Sequence, residues 1–338
     1  MTTRSQSTIA RSGLGIALLS AAAFGTSGTF ASSLIGAGWS AAAAVTARIT
    51  VAALLLTVPA LIQLRGRWRL LRTASWRMAA YGLTGVAGCQ FCYFNAIEHM
   101  PVGVALLLEY LGAVLVVGWL WLRHGQRPRR LTVAGAVTAI AGLGLVLNLT
   151  GSGAVSPAGV IWGLLAAVGL AVYFVIAAAG HAEPVPPIVM VWGGMIVGAA
   201  ALGLLGLTGA VPVTATARQV GLLGHRVSWI VPVAGLSLVA TAIAYVTGMS
   251  AARKLGAKLA SFAGMAEVLF SILFAWLLLH QLPSAMQFAG GVFIFAGVAL
   301  VRADELGGDP KVEQAPAAER VSGRESGDEP GRVRVAVR

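Results

Sequence analysis

The segment HMPVGVALLLEYLGAVLVVGWLW, residues 99–121, is apolar almost throughout yet contains Glu109. In a helix that begins at Pro101, a rise of ~1.5 Å per residue places this carboxylate about 12 Å along the axis. The hydrocarbon core of a bilayer is about 30 Å thick, so the carboxylate would lie near its middle. The segment therefore predicts a transmembrane helix in which an acid has been placed at mid-membrane.

The composition of the whole chain indicates an integral membrane protein. Hydrophobic residues make up 57% of the 338 residues and charged residues only 11%, against about 25% charged in soluble domains. Apolar runs of spanning length predict an all-α integral membrane fold with ten transmembrane helices, named here spans 1–10. They cover residues 13–35, 39–62, 76–97, 102–122, 131–149, 159–179, 188–207, 229–249, 259–279 and 285–301.

The basic residues predict the orientation of these spans. With the N-terminus inside, 21 Lys and Arg residues fall in cytoplasmic segments, two fall outside and Arg48 lies within span 2. Cytoplasmic loops of membrane proteins carry such an excess. We therefore expect both termini in the cytoplasm, and the net charge of +12 does not indicate a nucleic-acid partner.

The two halves of the chain resemble each other. When the ends of spans 5 and 10 are aligned, Gly135 matches Gly290 and Gly142 matches Gly297. Because each half has five spans, the second half enters the membrane from the opposite side, which is the inverted-repeat pattern of secondary transporters. The predicted organisation is a cytoplasmic N-terminal segment (1–12), a first repeat (13–150), an external linker (151–157), a second repeat (158–302) and a disordered cytoplasmic tail (303–338).

Three ionisable residues fall at about the same depth: Arg48 in span 2, Glu109 in span 4 and Glu267 in span 9. Each would cost about 2.5–3.5 kcal/mol at a helix centre if it were charged and faced lipid. They are therefore expected to face the interior. In one interpretation they form a structural Arg–Glu pair and a neutral Glu; in the other they bind a substrate amine, its carboxylate or a proton.

Other polar residues are weaker candidates for the lining of a cavity. The hydroxyl residues of span 1 have the alternative of packing or bonding back to their own helix, and the tyrosines have the alternative of anchoring the protein at the membrane interface. The candidates are Thr26, Ser27, Thr29, Tyr93, Asn95 and Tyr245.

The sequence contains no catalytic, cofactor or metal-binding motif. It lacks the nucleotide-binding pattern G-x-x-x-x-G-K-[ST] and the metalloprotease pattern H-E-x-x-H. Cys89 and Cys92 form a C-x-x-C pair without further ligands nearby, and we interpret them as small side chains on one helix face. We therefore expect neither enzyme activity nor a cofactor.

The segment FNAIEHMPVGVALLLEYLGAVLVV resembles the EamA-type transporters of the drug/metabolite transporter superfamily, most closely their threonine/homoserine exporter branch. The matching residues are Pro101, Gly103, Ala105, Glu109 and Gly112, with Arg48 and Glu267 in similar runs of spans 2 and 9. The resemblance implies a multi-pass carrier of the bacterial-type inner (plasma) membrane that exports amino acids or related small metabolites by alternating access.

Three positions depart from the family pattern. Ala113 and Val268 stand where prolines are expected in spans 4 and 9, and Leu279-His280 replaces a Gly-Glu pair at the end of span 9. Because proline removes a hydrogen bond and kinks a helix, spans 4 and 9 are expected to be straighter than in the family.

The sequence thus predicts a secondary transporter in contact with membrane lipid, with a small-molecule substrate and with or without proton coupling. Export of drugs or other metabolites, uncoupled facilitation and exchange are alternatives. A membrane-embedded enzyme or a receptor is a remote alternative, because catalytic motifs are missing. The residues leave the oligomeric state open.

We expect reporter fusions at the C-terminus to indicate a cytoplasmic location. Alkaline phosphatase fused after Arg338 should be inactive, because its disulfides form only outside the cytoplasm, and green fluorescent protein fused there should fluoresce. A phosphatase fusion near Arg218, in an external loop, is the control and should be active. The reverse pattern would contradict the orientation.

Overall fold

The computed structural model describes residues 2–124, 129–147, 156–178, 185–255, 264–281 and 284–307. The first half of the chain forms α1 (Thr2–Gly25), α2 (Ser27–Gly36), α3 (Ala41–Leu64), α4 (Arg69–Thr73), α5 (Ser75–Tyr81), a first π-helical segment (Gly82–Gly88), α6 (Cys89–Ile97), α7 (Val102–Tyr110), α8 (Gly112–His124) and α9 (Arg130–Leu147). The second half forms α10 (Pro157–Ala178), α11 (Pro187–Leu207), strands β1 (Val220–Leu222) and β2 (His225–Val227), α12 (Ile230–Ala234), a second π-helical segment (Gly235–Ile243), α13 (Ala244–Leu255), α14 (Ala266–Leu279) and α15 (Ala285–Gly307).

The helices have the length and surface of a membrane protein. Four helical stretches of the described residues are long and apolar enough to cross a membrane: Gly13–Gly36, Ala41–Leu64, Pro187–Leu207 and Ile230–Gly248. Shorter apolar helices include α9, α10 and α14. Large apolar side chains cover the surface, and Leu54 is 68% exposed. Such a surface is suited to contact with lipid.

Several predicted spans are interrupted near their middle. Span 1 breaks at Thr26, between α1 and α2, and span 4 breaks at Leu111, between α7 and α8. Spans 3 and 8 each contain one of the π-helical segments. Tightened or widened helical turns leave some backbone N–H and C=O groups without their regular helical partners. Within a membrane such turns occur mostly where other protein segments surround them, and π-helical turns are frequent at functional sites.

Span 4 contains a tightened turn at Leu111, although alanine stands at position 113 where the family has proline. The Leu111 N–H donates to Leu108 O at 3.1 Å, which tightens the turn. A Cβ on Gly112 would be 2.6 Å from Ala167 O, so the backbone here lies directly against α10. The tightened turn at Leu111 is therefore accompanied by close packing of Gly112 against α10 and not by a proline.

The predicted boundaries agree with the helices to within a few residues, except at three ends. Helix α1 begins at Thr2, before the predicted start of span 1 at residue 13, so most of the predicted N-terminal segment is helical. Helix α13 continues to Leu255 and α15 to Gly307, beyond the predicted ends of spans 8 and 10 at residues 249 and 301. Most of the predicted linker, the start of span 9 and the tail after residue 307 lie outside the described residues.

Helices α9 and α15 pack closely through glycines. A Cβ on Gly135 would be 2.6 Å from Gly297 O, and one on Gly142 would be 2.6 Å from Gly290 O. The two backbones are therefore in contact, as in small-residue helix pairs of membrane proteins. In the sequence alignment Gly135 corresponds to Gly290 and Gly142 corresponds to Gly297. In the structure Gly135 contacts Gly297 and Gly142 contacts Gly290, so the contacts run crosswise between the aligned positions.

The hairpin of β1 and β2 covers one end of the helices. Its turn is formed by Leu223 and Gly224, both with positive φ, and the Leu223 N–H donates to Leu278 O of α14 at 3.0 Å. Trp39 Nε1–H donates to Thr216 O in the same loop at 2.9 Å. The loop is thus attached to both α14 and the start of α3.

We expect Gly142→Leu to destabilise the protein because the added side chain has no space against α15. Overpacking of this kind costs about 1–3 kcal/mol, and it should lower the melting temperature in detergent. Gly144→Leu is the matched control, since a Cβ there has open space within 4 Å. Equal melting temperatures for the two variants would contradict the close packing.

Candidate functional site

Arg48 is the centre of a buried polar cluster. It lies on α3 with 1% of its surface exposed, and its guanidinium lies 5.5 Å from the centre of the Phe94 ring. Buried charges in proteins require hydrogen bonds or counter-charges, because the loss of water is expensive. The surroundings of Arg48 supply four such bonds from three separate elements.

The hydrogen bonds of Arg48 all go to neutral acceptors. Nε–H donates to Thr241 Oγ1 at 2.7 Å and Nη2–H donates to Ala240 O at 3.1 Å, both in the second π-helical segment. Nη1 donates to Ser27 Oγ at 2.8 Å and to Gln90 Oε1 at 2.6 Å. A guanidinium has five N–H groups. Within the described part of the chain, one N–H on Nη2 is therefore unused.

Glu109 lies at the end of α7 and is 5% exposed. Its Oε1 accepts from the Cys89 Sγ–H at 3.1 Å, and the same sulfur lies 3.4 Å from Ala166 O on α10. Its Oε2 is buried and has no hydrogen-bond partner among the described residues. A buried oxygen without a partner costs about 1–3 kcal/mol, so this atom is suited to accept a donor from a ligand.

Glu267 lies in the first turn of α14 and is partly buried. The Tyr110 hydroxyl, at the end of α7, lies 3.1 Å from Glu267 Oε2 and 3.0 Å from Gly264 O. Consecutive residues of one helix end thus reach two different elements: Glu109 contacts α6, and Tyr110 contacts α14. Both glutamates therefore lie at the end of α7 or against it, close enough to interact electrostatically.

The structure does not form the Arg–Glu pair of the first interpretation. Among the described residues Arg48 bonds to neither Glu109 nor Glu267, although both glutamates are near enough for an electrostatic interaction with it. Because the hydrogen bonds of Arg48 go only to neutral groups, its positive charge is not compensated by them and still attracts an anion. The structure therefore places the three ionisable residues within electrostatic reach of one another, without an ion pair between Arg48 and either glutamate.

The hydroxyl residues of span 1 take different positions. Ser27 belongs to the Arg48 cluster, whereas Thr26 Oγ1–H donates back to Ala23 O of its own helix at 2.7 Å. Thr29 is fully buried, and its Oγ1 has no partner among the described residues. Of these three candidates, Ser27 and Thr29 present polar groups to the interior.

The three remaining candidates differ in their surroundings. Tyr93 is 3% exposed and its hydroxyl lies against Gly28 of α2, which does not fit the alternative of an interfacial anchor. Asn95 Nδ2–H donates to Phe91 O of its own helix at 2.7 Å. The Tyr245 ring packs edge-on against Phe24, with centres 4.8 Å apart.

Four residues of the cluster were not identified from the sequence. They are Cys89, Gln90, Tyr110 and Thr241. Gln90 and Cys89 are adjacent, polar or polarisable, and sit in an apolar span, which is a usable signal. Tyr110 and Thr241 carry no such signal, because tyrosine and threonine are common in spans.

The chemistry of the cluster is that of binding and proton exchange. Groups of three or more His, Cys, Asp or Glu residues that could hold a metal ion are not found among the described residues. The cluster offers an unused N–H of Arg48, an unused oxygen of Glu109 and a second carboxyl at Glu267. These groups can bind the two ends of a small zwitterion or exchange a proton.

Comparison with known proteins adds three findings. The family description "EamA-like transporter family" matches residues 11–148 and again residues 157–303. The aromatic amino acid exporter YddG of Ancylobacter novellus is 33% identical over 78 residues, and the chain spans about a quarter of that relative's length (27%, and 23% of this chain). A solved crystal structure has a TM-score of 0.58 and 23% identity over 86% of this chain and 97% of its own; this likeness concerns the fold alone.

We expect Gln90→Leu to destabilise the protein, because it removes an acceptor from a buried guanidinium. Hydrogen bonds to charged groups contribute about 1.5–3 kcal/mol. Thr84→Val is the matched control on the same span, since Thr84 bonds only to Ala80 O of its own helix among the described residues. Thermal unfolding in detergent measures both, and a Gln90→Leu variant as stable as Thr84→Val would contradict the importance of this bond.

Proposed function

We propose, from the premise that this chain belongs to the EamA-like transporter family, that it exports amino acids or related small metabolites by alternating access. The family identification made from the sequence is confirmed by the matches over both halves of the chain. This family consists of membrane transporters, and the chain is accordingly a multi-pass membrane protein with a small-molecule substrate.

The observation that carries the proposal is the pair of unused groups in the buried polar layer. Arg48 has an N–H that bonds to nothing among the described residues, and Glu109 Oε2 likewise has no partner there. The first group fits the carboxylate of an amino acid and the second fits its ammonium group. In this assignment Ser27, Gln90 and Thr241 hold the guanidinium in place.

The proposed cargo is a neutral amino acid. The curated relative is by its name an exporter of aromatic amino acids, and the resemblance noted in the sequence is to exporters of threonine and homoserine. Both cargoes share the zwitterionic backbone that Arg48 and Glu109 would bind. The side chain of the cargo is not fixed by these two groups, so a panel of neutral amino acids is the appropriate test.

The proposed architecture is ten spans in two inverted repeats. Three observations support it. The family description matches twice, the π-helical segments occur in spans 3 and 8, and the glycine contacts between α9 and α15 run crosswise. Crosswise contacts between equivalent residues are what a two-fold axis produces.

The proposed setting is the bacterial-type inner membrane, with both termini in the cytoplasm. The excess of Lys and Arg in the predicted cytoplasmic segments supports this orientation. Movement of substrate from the cytoplasm to the outside would pass the Arg48 layer and then the β1–β2 hairpin.

We expect Glu109→Gln to reduce export in sealed proteoliposomes that contain labelled neutral amino acids. Loss of a charge-assisted bond to an ammonium group costs about 1.5–3 kcal/mol, so flux at limiting substrate should fall about 10- to 100-fold. Measurements with and without a proton gradient then separate coupled transport from facilitation or exchange.

Glu98→Gln is the matched control, because Glu98 is exposed and accepts a bond from the Ala41 N–H outside the polar layer. It should transport like the wild type. Undiminished flux in Glu109→Gln would show that Glu109 does not take part in substrate binding. Flux of cationic drugs with none of amino acids would assign the carrier to the other cargo class.

A further inference from the structure

The Tyr110 hydroxyl lies between two oxygen atoms, and this position has a consequence for the proton on Glu267. Gly264 O is 3.0 Å away and Glu267 Oε2 is 3.1 Å away. A tyrosine hydroxyl has one proton to donate, and a backbone carbonyl only accepts. The hydroxyl can therefore donate to one of the two oxygens at a time.

The Gly264 carbonyl accepts from Tyr110 because the backbone turn at the start of α14 is tightened. The Val268 N–H, which in a regular helix would donate to Gly264 O, donates instead to Met265 O at 3.2 Å. A carbonyl released in this way is free to accept from another donor. The Tyr110 hydroxyl supplies it and connects the end of α7 to the start of α14.

The protonation state of Glu267 decides whether both contacts of Tyr110 are hydrogen bonds. If Glu267 is ionised, the hydroxyl faces two acceptors, and either the carboxylate or the Gly264 carbonyl loses its donor. If Glu267 is protonated, its O–H donates to Tyr110 Oη and the Tyr110 O–H donates to Gly264 O. This chain of two bonds satisfies all three groups, and such chains reinforce each other.

We infer that Glu267 is the proton site of this carrier, and that Tyr110 is a positioning residue that makes the contact between α7 and α14 depend on that proton. The inference rests on the proposed transport function. It assigns substrate binding to Glu109 and Arg48 and proton binding to Glu267. A neutral Glu267 also balances the layer, because the charges of Arg48 and an ionised Glu109 then cancel.

The titratable and charged groups around Glu267 come from several elements. Those that interact with it among the described residues are Arg48 on α3, Cys89 and Tyr93 on α6, and Glu109 and Tyr110 on α7. Of these, Tyr110 is within hydrogen-bond distance of the Glu267 carboxyl. Its position directly after Glu109 means that movement of the α7 end affects the substrate site and the proton site together.

The test is infrared difference spectroscopy between acidic and alkaline pH on the full-length protein in lipid. The wild type should show a band from a protonated, hydrogen-bonded carboxyl group that Glu267→Gln removes. Tyr110→Phe should shift this band to higher frequency, because the carboxyl loses its partner. Tyr81→Phe, which alters a tyrosine packed against Gly194, is the matched control and should leave the band unchanged.

The pH profile of flux is the second measurement. Tyr110→Phe should flatten the profile, as should Glu267→Gln, while Tyr81→Phe keeps the wild-type profile. A band that survives Glu267→Gln, or one that Tyr110→Phe does not shift, would overturn the inference. If the band behaves as expected but no substrate is transported by the wild type, the proton assignment stands and the proposed function fails.

Discussion

A guanidinium buried in the middle of a helical bundle has to be satisfied by hydrogen bonds, and the arrangement of the polar layer depends on this requirement. Arg48 is bonded by Ser27 from α2, Gln90 from α6 and two groups of the second π-helical segment. Elements far apart in the sequence are therefore held at one point. Because all these partners are neutral, the guanidinium keeps its positive charge and remains able to attract an anion.

The helix interruptions supply the polar groups that a regular helix would hide. The π-helical turn exposes Ala240 O to Arg48, and the tightened turn at Met265 leaves Gly264 O for the Tyr110 hydroxyl. Glu109 and Tyr110, which are adjacent at the end of α7, point to different neighbours because successive residues of a helix lie about 100° apart. In a membrane, backbone groups released in this way must find partners inside the protein, so each interruption also adds a contact between helices.

Packing and binding use different residue types in this fold. Glycine contacts bring α9 and α15 together without polar side chains, whereas the site lies among α2, α3, α6, α7, the second π-helical segment and α14. The hairpin closes the bundle at one end through backbone bonds to α14. This separation is compatible with the proposed alternating access, in which the contacts around the site would change while the glycine-packed pair stays intact.

The sequence by itself determined the membrane class and the position of most helices, and it singled out Arg48, Glu109 and Glu267 as ionisable residues within them. It could do so because hydropathy and helix rise act locally, residue by residue. It did not determine the partners of these groups. Arg48 bonds to neutral acceptors and not to a glutamate, as one of the two interpretations had it, and the sequence did not point to Cys89, Gln90 and Tyr110 as members of the site. Partners depend on how helices rotate and where they break, and those are set by packing such as that of Gly112 on α10. Only the tertiary structure decides them.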